Sequence, residues 1–201
     1  MPIKHKQAPV GAIDALQDGL QHAIRNNAHV VRSCAAPSEK SSIHLGVPKF
    51  EAAAPHPVFT VDLQDIAKGK LLEAAKPIGW RFLILQGNNA LIAGTVVESG
   101  GKMALNSINE GRLVGLTLDS LSAAEVAEEI KDRDFELRYL EVRPLYFVGV
   151  WLHSDNDNYI IPLEDSRADD ITAHSLQTET KILKMLQSQQ AFGSAFPEPL
   201  S

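Results

Sequence analysis

The chain has 201 residues, which is enough for one sizeable hydrophobic core or for two small ones. Apolar residues make up 44% of it and charged residues 22%, as in ordinary soluble globular proteins, and the net charge is −6. Nucleic-acid binding usually requires a basic surface, so this balance argues against it. No apolar run approaches the roughly 20 residues that a membrane-spanning helix needs.

The single cysteine and the first residues bear on the compartment. Cys34 has no partner for an internal disulfide, which favours a reducing compartment. The opening sequence "MPIKHKQAPVGAIDAL" has basic residues but no uninterrupted apolar stretch of the kind found in secretory signals. The sequence therefore predicts a cytoplasmic protein.

The first 57 residues are expected to form a helix followed by an arm. Apolar residues recur at three-four spacing, which predicts an amphipathic helix, at positions Ile13, Leu16, Leu20, Ala23, Ile24, Val30 and Val31. We interpret this helix as packed on the main domain, with a short oligomerising helix, Asn27 at its seam, as the alternative. Residues 33–57 are rich in Ala, Pro and Ser and predict a linker or an extended arm.

The main domain is expected to span residues 58–163 and to begin with a β-α-β-β-β unit. "VFTVD" at 58–62 predicts a strand, and "LQDIAKGKLLEAAK" at 63–76 predicts a helix. Three strands should follow, "WRFLILQ", "ALIAGTVVE" and "KMALNSI", joined by the hairpin sequences "GNN" and "SGG".

A shift of 55 positions aligns a second unit with the first. "RLVGLTL" at 112–118 then predicts a strand and "DSLSAAEVAEEIKDRD" a helix, before three strands in "FELRYLEV", "LYFVGVWLH" and "NYIIPL". Pro144 cannot donate to a sheet and predicts a turn between the first two of these strands. The fold class predicted is α+β, with antiparallel meanders covered by helices and an internal duplication of residues 58–108 and 113–163.

The central strands of the two units predict what must cover them. "ALIAGTVV" and "LYFVGVWL" are continuously apolar, as in strands with both faces covered. The cover could be the opposite unit, the terminal helices around Leu16 and Leu183, or a second subunit. We expect a homo-oligomer, and a C-terminal segment, 164–201, whose helix lies in "TAHSLQTETKILKMLQSQQ".

The segment "HSDNDN" at 153–158 raises the question of a metal site. A calcium loop needs a Gly at its sixth position, which is missing here, and an iron site on His153 and Asp155 would need His174 as its third ligand. Asn and Asp are common in turns because their short side chains bond to nearby backbone. We therefore interpret the segment as a turn and predict no metal site.

No catalytic motif stands out elsewhere in the chain. There is no phosphate loop and no G-x-S-x-G elbow, and nothing suggests a base beside Cys34. We predict no cofactor and no catalytic residues, and whether the chain is an enzyme stays open. The candidate binding residues are those on strands that could face a groove, namely Arg81, Arg143, Trp151 and His153.

The function expected from these features is a non-enzymatic binding or assembly module, with another protein as a possible partner. The alternative is a small-ligand-binding protein, or an enzyme, with its site in the groove between the two repeats. No motif identifies a family, a ligand or a pathway.

Overall fold

The computed structural model describes residues 3–26, 51–86, 89–166 and 171–194. They belong to two compact units. The first unit is drawn from Met1–Lys6, Pro57–Ile78 and Leu116–Ser201, and the second from Gln7–His56 and Gly79–Gly115. The strands pair mostly in antiparallel fashion and helices accompany them, so the predicted α+β class is confirmed.

The elements are numbered in chain order. The helices are α1 (Ala12–Asn26), α2 (Leu63–Ala67), α3 (Arg112–Glu125) and α4 (Glu179–Ser194). The strands are β1 (Ile3–Lys4), β2 (Glu51–Thr60), β3 (Lys76–Gln86), β4 (Asn89–Ser99), β5 (Lys102–Glu110), β6 (Phe135–Val142), β7 (Phe147–His153), β8 (Asn158–Pro162) and β9 (Gln177–Thr178). Within the described ranges, no helix combines the length and the apolar character needed to cross a membrane.

The second unit is an antiparallel meander with a helix on one face. Strands β3, β4 and β5 pair in sequence order. The helix α1 packs on them with the apolar stripe that the three-four spacing predicts, and the buried cluster consists of Ala12, Leu16, Leu20, Phe82, Ile84, Ile92 and Val96. The predicted N-terminal helix is confirmed as far as Asn26, while Asn27, Val30, Val31 and the stretch 27–50, including Cys34, lie outside the described residues.

The first unit is built around strand β6. On one side β6 pairs antiparallel with β7, which pairs with β8 and then β9; on the other side it pairs in parallel with β1 and β2. The core under helix α4 contains Val61, Ile66, Leu71, Leu140, Val142, Phe147, Trp151, Ile160, Ile171, Ile182, Met185 and Leu186. Strand β6 falls at the predicted residues, and a turn at Arg143–Leu145 around Pro144 separates it from β7, as predicted.

Several boundaries differ from the prediction; the helix predicted at 119–134, for example, ends at Glu125. Strand β2 begins at Glu51 rather than at residue 58, so the last residues assigned to the arm belong to a strand. The helix predicted at 63–76 ends at Ala67, because Gly69 adopts φ +81. The amides of Gly69 and Lys70 donate to the carbonyls of Ile66 and Asp65, the paired bonds of a Schellman helix end.

The strand predicted at 112–118 is wrong, because these residues begin helix α3. The buried positions of this helix lie along one stripe, at Val114, Thr117, Ser120, Leu121 and Ala124, so helical periodicity explains a sequence that also suited a strand. Residues 113–163 consequently lack the first strand of the β-α-β-β-β order, and the structure does not confirm the predicted duplication.

The chain itself buries the central strands, and a terminal helix packs on one face of each. Side chains on both faces of β7 are buried, with Trp151 on the face under α4 and Val150 on the other, and Ile92 and Ala93 of β4 are buried likewise. The terminal helices were one of the three covers predicted. The apolar faces therefore give no support to a second subunit.

A close contact between α1 and β5 gives a direct test of this packing. A Cβ added at Gly19 would lie 2.4 Å from both Cβ and Cδ2 of Leu105, whereas one added at Gly115 in α3 meets nothing within 4 Å. Gly to Ala inside a helix ordinarily stabilises by about 0.5–1 kcal/mol. We expect Gly115→Ala to follow that rule, and Gly19→Ala to lower the free energy of unfolding by about 1–3 kcal/mol through overpacking. Urea unfolding of both variants measures this, and equal stabilisation by the two would contradict the packing of α1 on β5.

Candidate functional site

One face of the sheet in the first unit changes from apolar to polar along its strands. Side chains alternate between the two faces of a strand, so Leu140 and Arg138 of β6 share a face. Leu140 lies in the core under α4. Toward the start of β6 the same face carries what we call the polar end of the sheet, which consists of Glu136, Arg138, Trp151, His153 and Asn158.

The side chain of Asn158 fixes the two rings beside it. The indole Nε1–H of Trp151 donates to Asn158 Oδ1 at 2.9 Å, and His153 Nδ1 lies 2.8 Å from the same oxygen. An indole N–H can only donate, so the atom it reaches must be the amide oxygen, and His153 Nδ1 must then carry a proton. When the imidazole is neutral, its Nε2 is left as a lone-pair acceptor.

Arg138 is held by an ion pair and two aromatic rings. Its Nε donates to Glu136 Oε1 at 2.8 Å, and its Cζ lies 5.0 Å from the ring centroid of Phe59 and 4.6 Å from that of Trp151. Each cation–π contact contributes about 0.5–2 kcal/mol. The side chain is 16% exposed, and its terminal nitrogens donate to no acceptor among the described residues. The guanidinium is therefore fixed in place with its outer donors accessible.

The opposite rim comes from the segment after α2 and from the start of α4. The carboxylate of Glu179, the first residue of α4, accepts the backbone N–H of Leu72 at 2.9 Å. Glu73 forms a solvent-exposed ion pair with Lys70 at 3.2 Å. The left-handed Gly69 that ends α2 lets the chain double back, and this brings the segment 69–73 over the polar end of the sheet.

Together these groups enclose an open pocket of about 520 Å³, a size typical of small-molecule sites. Its lining consists of Gly69, Leu72, Glu73, Arg138, Trp151, His153, Asn158 and Glu179. The sheet side offers hydrogen-bond donors on Arg138 and Asn158, and the rim offers the carboxylates of Glu73 and Glu179. A ligand could thus be bound through groups of both polarities.

The four candidate residues from the sequence fall in three places. Trp151 and His153 line this pocket. Arg143 lies in the exposed turn after β6, where its Nε donates to Glu141 at 2.8 Å, and it is not among the lining residues. Arg81 is buried in the second unit and donates to the side-chain oxygen of Asn109 at 3.0 Å.

Among the lining residues outside the four sequence candidates are Arg138, Asn158 and Glu179. Two of them have a signal in the sequence. A hairpin turn at Pro144 sets Arg138 opposite Trp151, and a turn at 154–157 sets Asn158 opposite His153. Glu179 has no such signal, because its position depends on how α4 packs in the tertiary fold.

The segment at 154–157 is a turn, as interpreted from the sequence. The amide and the hydroxyl of Ser154 both donate to the backbone carbonyl of Asp157, and the amide of Asp157 donates back to Ser154 Oγ. Asp157 also forms an ion pair with Arg133. Among the described residues, no three His, Cys, Asp or Glu side chains are placed together to hold a metal ion.

A second open pocket lies in the second unit, between the start of α1 and the β4–β5 turn. Its volume is about 500 Å³, and Asp14, Asp18 and Glu98 line it together with Lys102. These charged groups form no hydrogen-bonded or ring-stacked framework comparable to the polar end of the sheet. The pocket of the first unit is thus the more organised of the two.

Comparison with known proteins returns no relative. No family model matches the chain, and neither a curated protein nor a solved structure resembles it at a significant level. The chemistry of the site therefore has to be argued from its own residues.

We expect the shared oxygen of Asn158 to contribute measurably to stability. Asn158→Ala leaves the indole N–H of Trp151, a residue only 3% exposed, without its acceptor, and we expect a loss of about 1–3 kcal/mol in the free energy of unfolding. Asn158→Asp retains an oxygen acceptor and should lose less. Denaturant unfolding compares the two variants, and equal losses would argue against the shared acceptor.

Proposed function

We propose that the chain is a non-enzymatic binding module that holds a small ligand in the pocket of the first unit. The observation that carries the proposal is the double hydrogen bond to Asn158 Oδ1, which orients Trp151 and His153 while Trp151 in turn supports Arg138. Side chains that are already fixed lose little conformational freedom when a ligand binds, so the site is preorganised.

The lining residues come from separate segments of the chain. The pocket takes Gly69, Leu72 and Glu73 from the segment predicted as the first repeat, and its sheet residues from the segment predicted as the second. The sequence-based alternative placed a small-ligand site between those two segments. The proposal combines that location with the binding role that the sequence favoured.

The residue types in the pocket favour binding over covalent catalysis. Among the described residues that line it, none carries a hydroxyl or thiol to act as a nucleophile. The imidazole of His153 is oriented by an amide oxygen, and among the described lining residues no hydroxyl or thiol lies beside it to be activated. A binding role uses all of these groups as they stand.

Self-association is not part of the proposal. The homo-oligomer was expected because the central strands needed cover, and these strands are buried within the single chain, with α1 and α4 each packed on one face. A protein partner is likewise unnecessary to explain the pocket, whose volume suits a small molecule.

The proposal is tested by following the indole N–H resonance of Trp151 in ¹H–¹⁵N NMR spectra, assigned with a Trp80→Phe variant. The probes are acetate, phosphate, glucose, glycine and adenosine monophosphate, each titrated separately. We expect at least one of them to shift this resonance and the amides of Gly69, Glu73 and Asn158 in a saturable way, because these residues line the pocket.

Two arginine variants provide the matched comparison. Arg138→Gln should weaken binding of the active probe by about tenfold or more, the equivalent of about 1.4 kcal/mol. Arg143→Gln, which changes an exposed arginine outside the pocket, should leave binding unchanged. The proposal fails if neither these probes nor the amino carboxylates tested below shift the pocket resonances, or if both variants bind equally well while remaining folded.

A further inference from the structure

The carboxylate of Glu179 has a negative charge that the described residues do not balance. Its side chain is half-buried on the rim of the pocket, and no lysine, arginine or histidine of the described ranges lies within ion-pair distance of it. The hydrogen bond from Leu72 uses Oε1, and the start of helix α4 partly favours the charge. Further hydrogen-bonding capacity of the carboxylate remains for a donor within the pocket.

The cation on the sheet side is also only partly engaged. Glu136 bonds to Nε of Arg138, and Lys6 approaches that same carboxylate at 3.9 Å, so Glu136 is shared between two cations. The terminal nitrogens of Arg138 keep the paired N–H geometry that suits a carboxylate. The Phe59 and Trp151 rings hold the guanidinium without taking up these donors.

A ligand with charge of one sign would meet repulsion in this pocket. An anion placed on Arg138 would face the carboxylates of Glu73 and Glu179, and a cation placed on Glu179 would face the guanidinium. A molecule that carries both signs can pair with both. The amide hydrogens of Asn158 and Nε2 of His153 can then bond to polar groups between its ends.

We propose that the pocket binds a small zwitterion, with its carboxylate on the terminal nitrogens of Arg138 and its ammonium group on Glu179. This inference rests on the proposed function and adds the chemical class of the ligand. Amino acids and short amino-carboxylate chains belong to that class.

The experiment compares amino carboxylates with molecules that lack one of the two charges. The probes are glycine, 4-aminobutyrate and 6-aminohexanoate, with hexanoate and hexylamine as the matched monofunctional compounds, each titrated against the full-length chain by NMR. We expect the best amino carboxylate to bind about tenfold or more tightly than either monofunctional compound, because each lost ion pair is expected to cost about that factor. The chain length that binds best reports the separation of the two charged groups.

Two charge-removing variants assign each end of the ligand. Glu179→Gln keeps an oxygen for the Leu72 amide and should abolish the preference for 6-aminohexanoate over hexanoate. Arg138→Gln should abolish the preference for 6-aminohexanoate over hexylamine. The controls are Glu128→Gln, which alters an exposed carboxylate paired with Lys131, and Arg143→Gln. Both should retain both preferences.

The outcomes separate this inference from the proposed function. The zwitterion proposal is wrong if hexanoate or hexylamine binds as tightly as the amino carboxylates. It is also wrong if only phosphate, glucose or adenosine monophosphate shifts the pocket resonances. In either case the proposal of a binding module is retained. If no compound from either set of probes shifts these resonances, both proposals fail. The zwitterion proposal is also wrong if Glu179→Gln still prefers 6-aminohexanoate over hexanoate and Arg138→Gln still prefers it over hexylamine.

Discussion

The hydrogen bonds to the side-chain oxygen of Asn158 are the interaction on which the candidate site depends. They tie strand β8 to the Trp151 and His153 side chains of β7 and decide which nitrogen of His153 carries a proton. The oriented indole then supports the guanidinium of Arg138, which lies 4.6 Å from its centroid. Without that oxygen the indole would stay buried but lose its only acceptor among the described residues, and the arginine would lose a fixed support.

The same sheet face serves both stability and the site. Its apolar part, with Leu140 and Ile160, lies under α4 in the core, and its polar part begins one residue pair further along the strands. Trp151 belongs to both, because it is buried in that core and also lines the pocket. Tryptophan suits such a boundary, since its large ring is apolar and its N–H needs a partner. The rigidity of the site thus derives from the packing of the core beside it.

Much of the strand order was predictable because the strands are apolar and are bounded by turn residues. The pattern "FELRYLEV" predicts β6 at its observed residues, and Pro144 predicts the turn that follows. The failures have local causes. The apolar residues of "RLVGLTL" fit one face of a helix as well as they fit a buried strand. Gly69 ends α2 at a point where apolar spacing alone predicts that the helix continues. The predicted duplication depended on the first of these segments.

The site was predictable only in part. Trp151 and His153 alternate on one strand, so their common face follows from the sequence, and a fixed register across each turn extends that face to Arg138 and Asn158. Glu179 is far from these residues in the chain and reaches the pocket through β9 and the packing of α4. Arg143 shares a sequence neighbourhood with Arg138 but lies beyond the end of β6, where the turn directs it to solvent.

The tautomer of the neutral His153 ring tests the central interaction most directly. Long-range ¹H–¹⁵N correlation spectra, recorded well above the ordinary imidazole pKa of about 6.5, identify which ring nitrogen of each histidine carries the proton. The account predicts that His153 is protonated on Nδ1, because that nitrogen donates to Asn158 Oδ1. A proton found on Nε2 instead would mean that the shared acceptor does not exist and that the site is not prearranged as described.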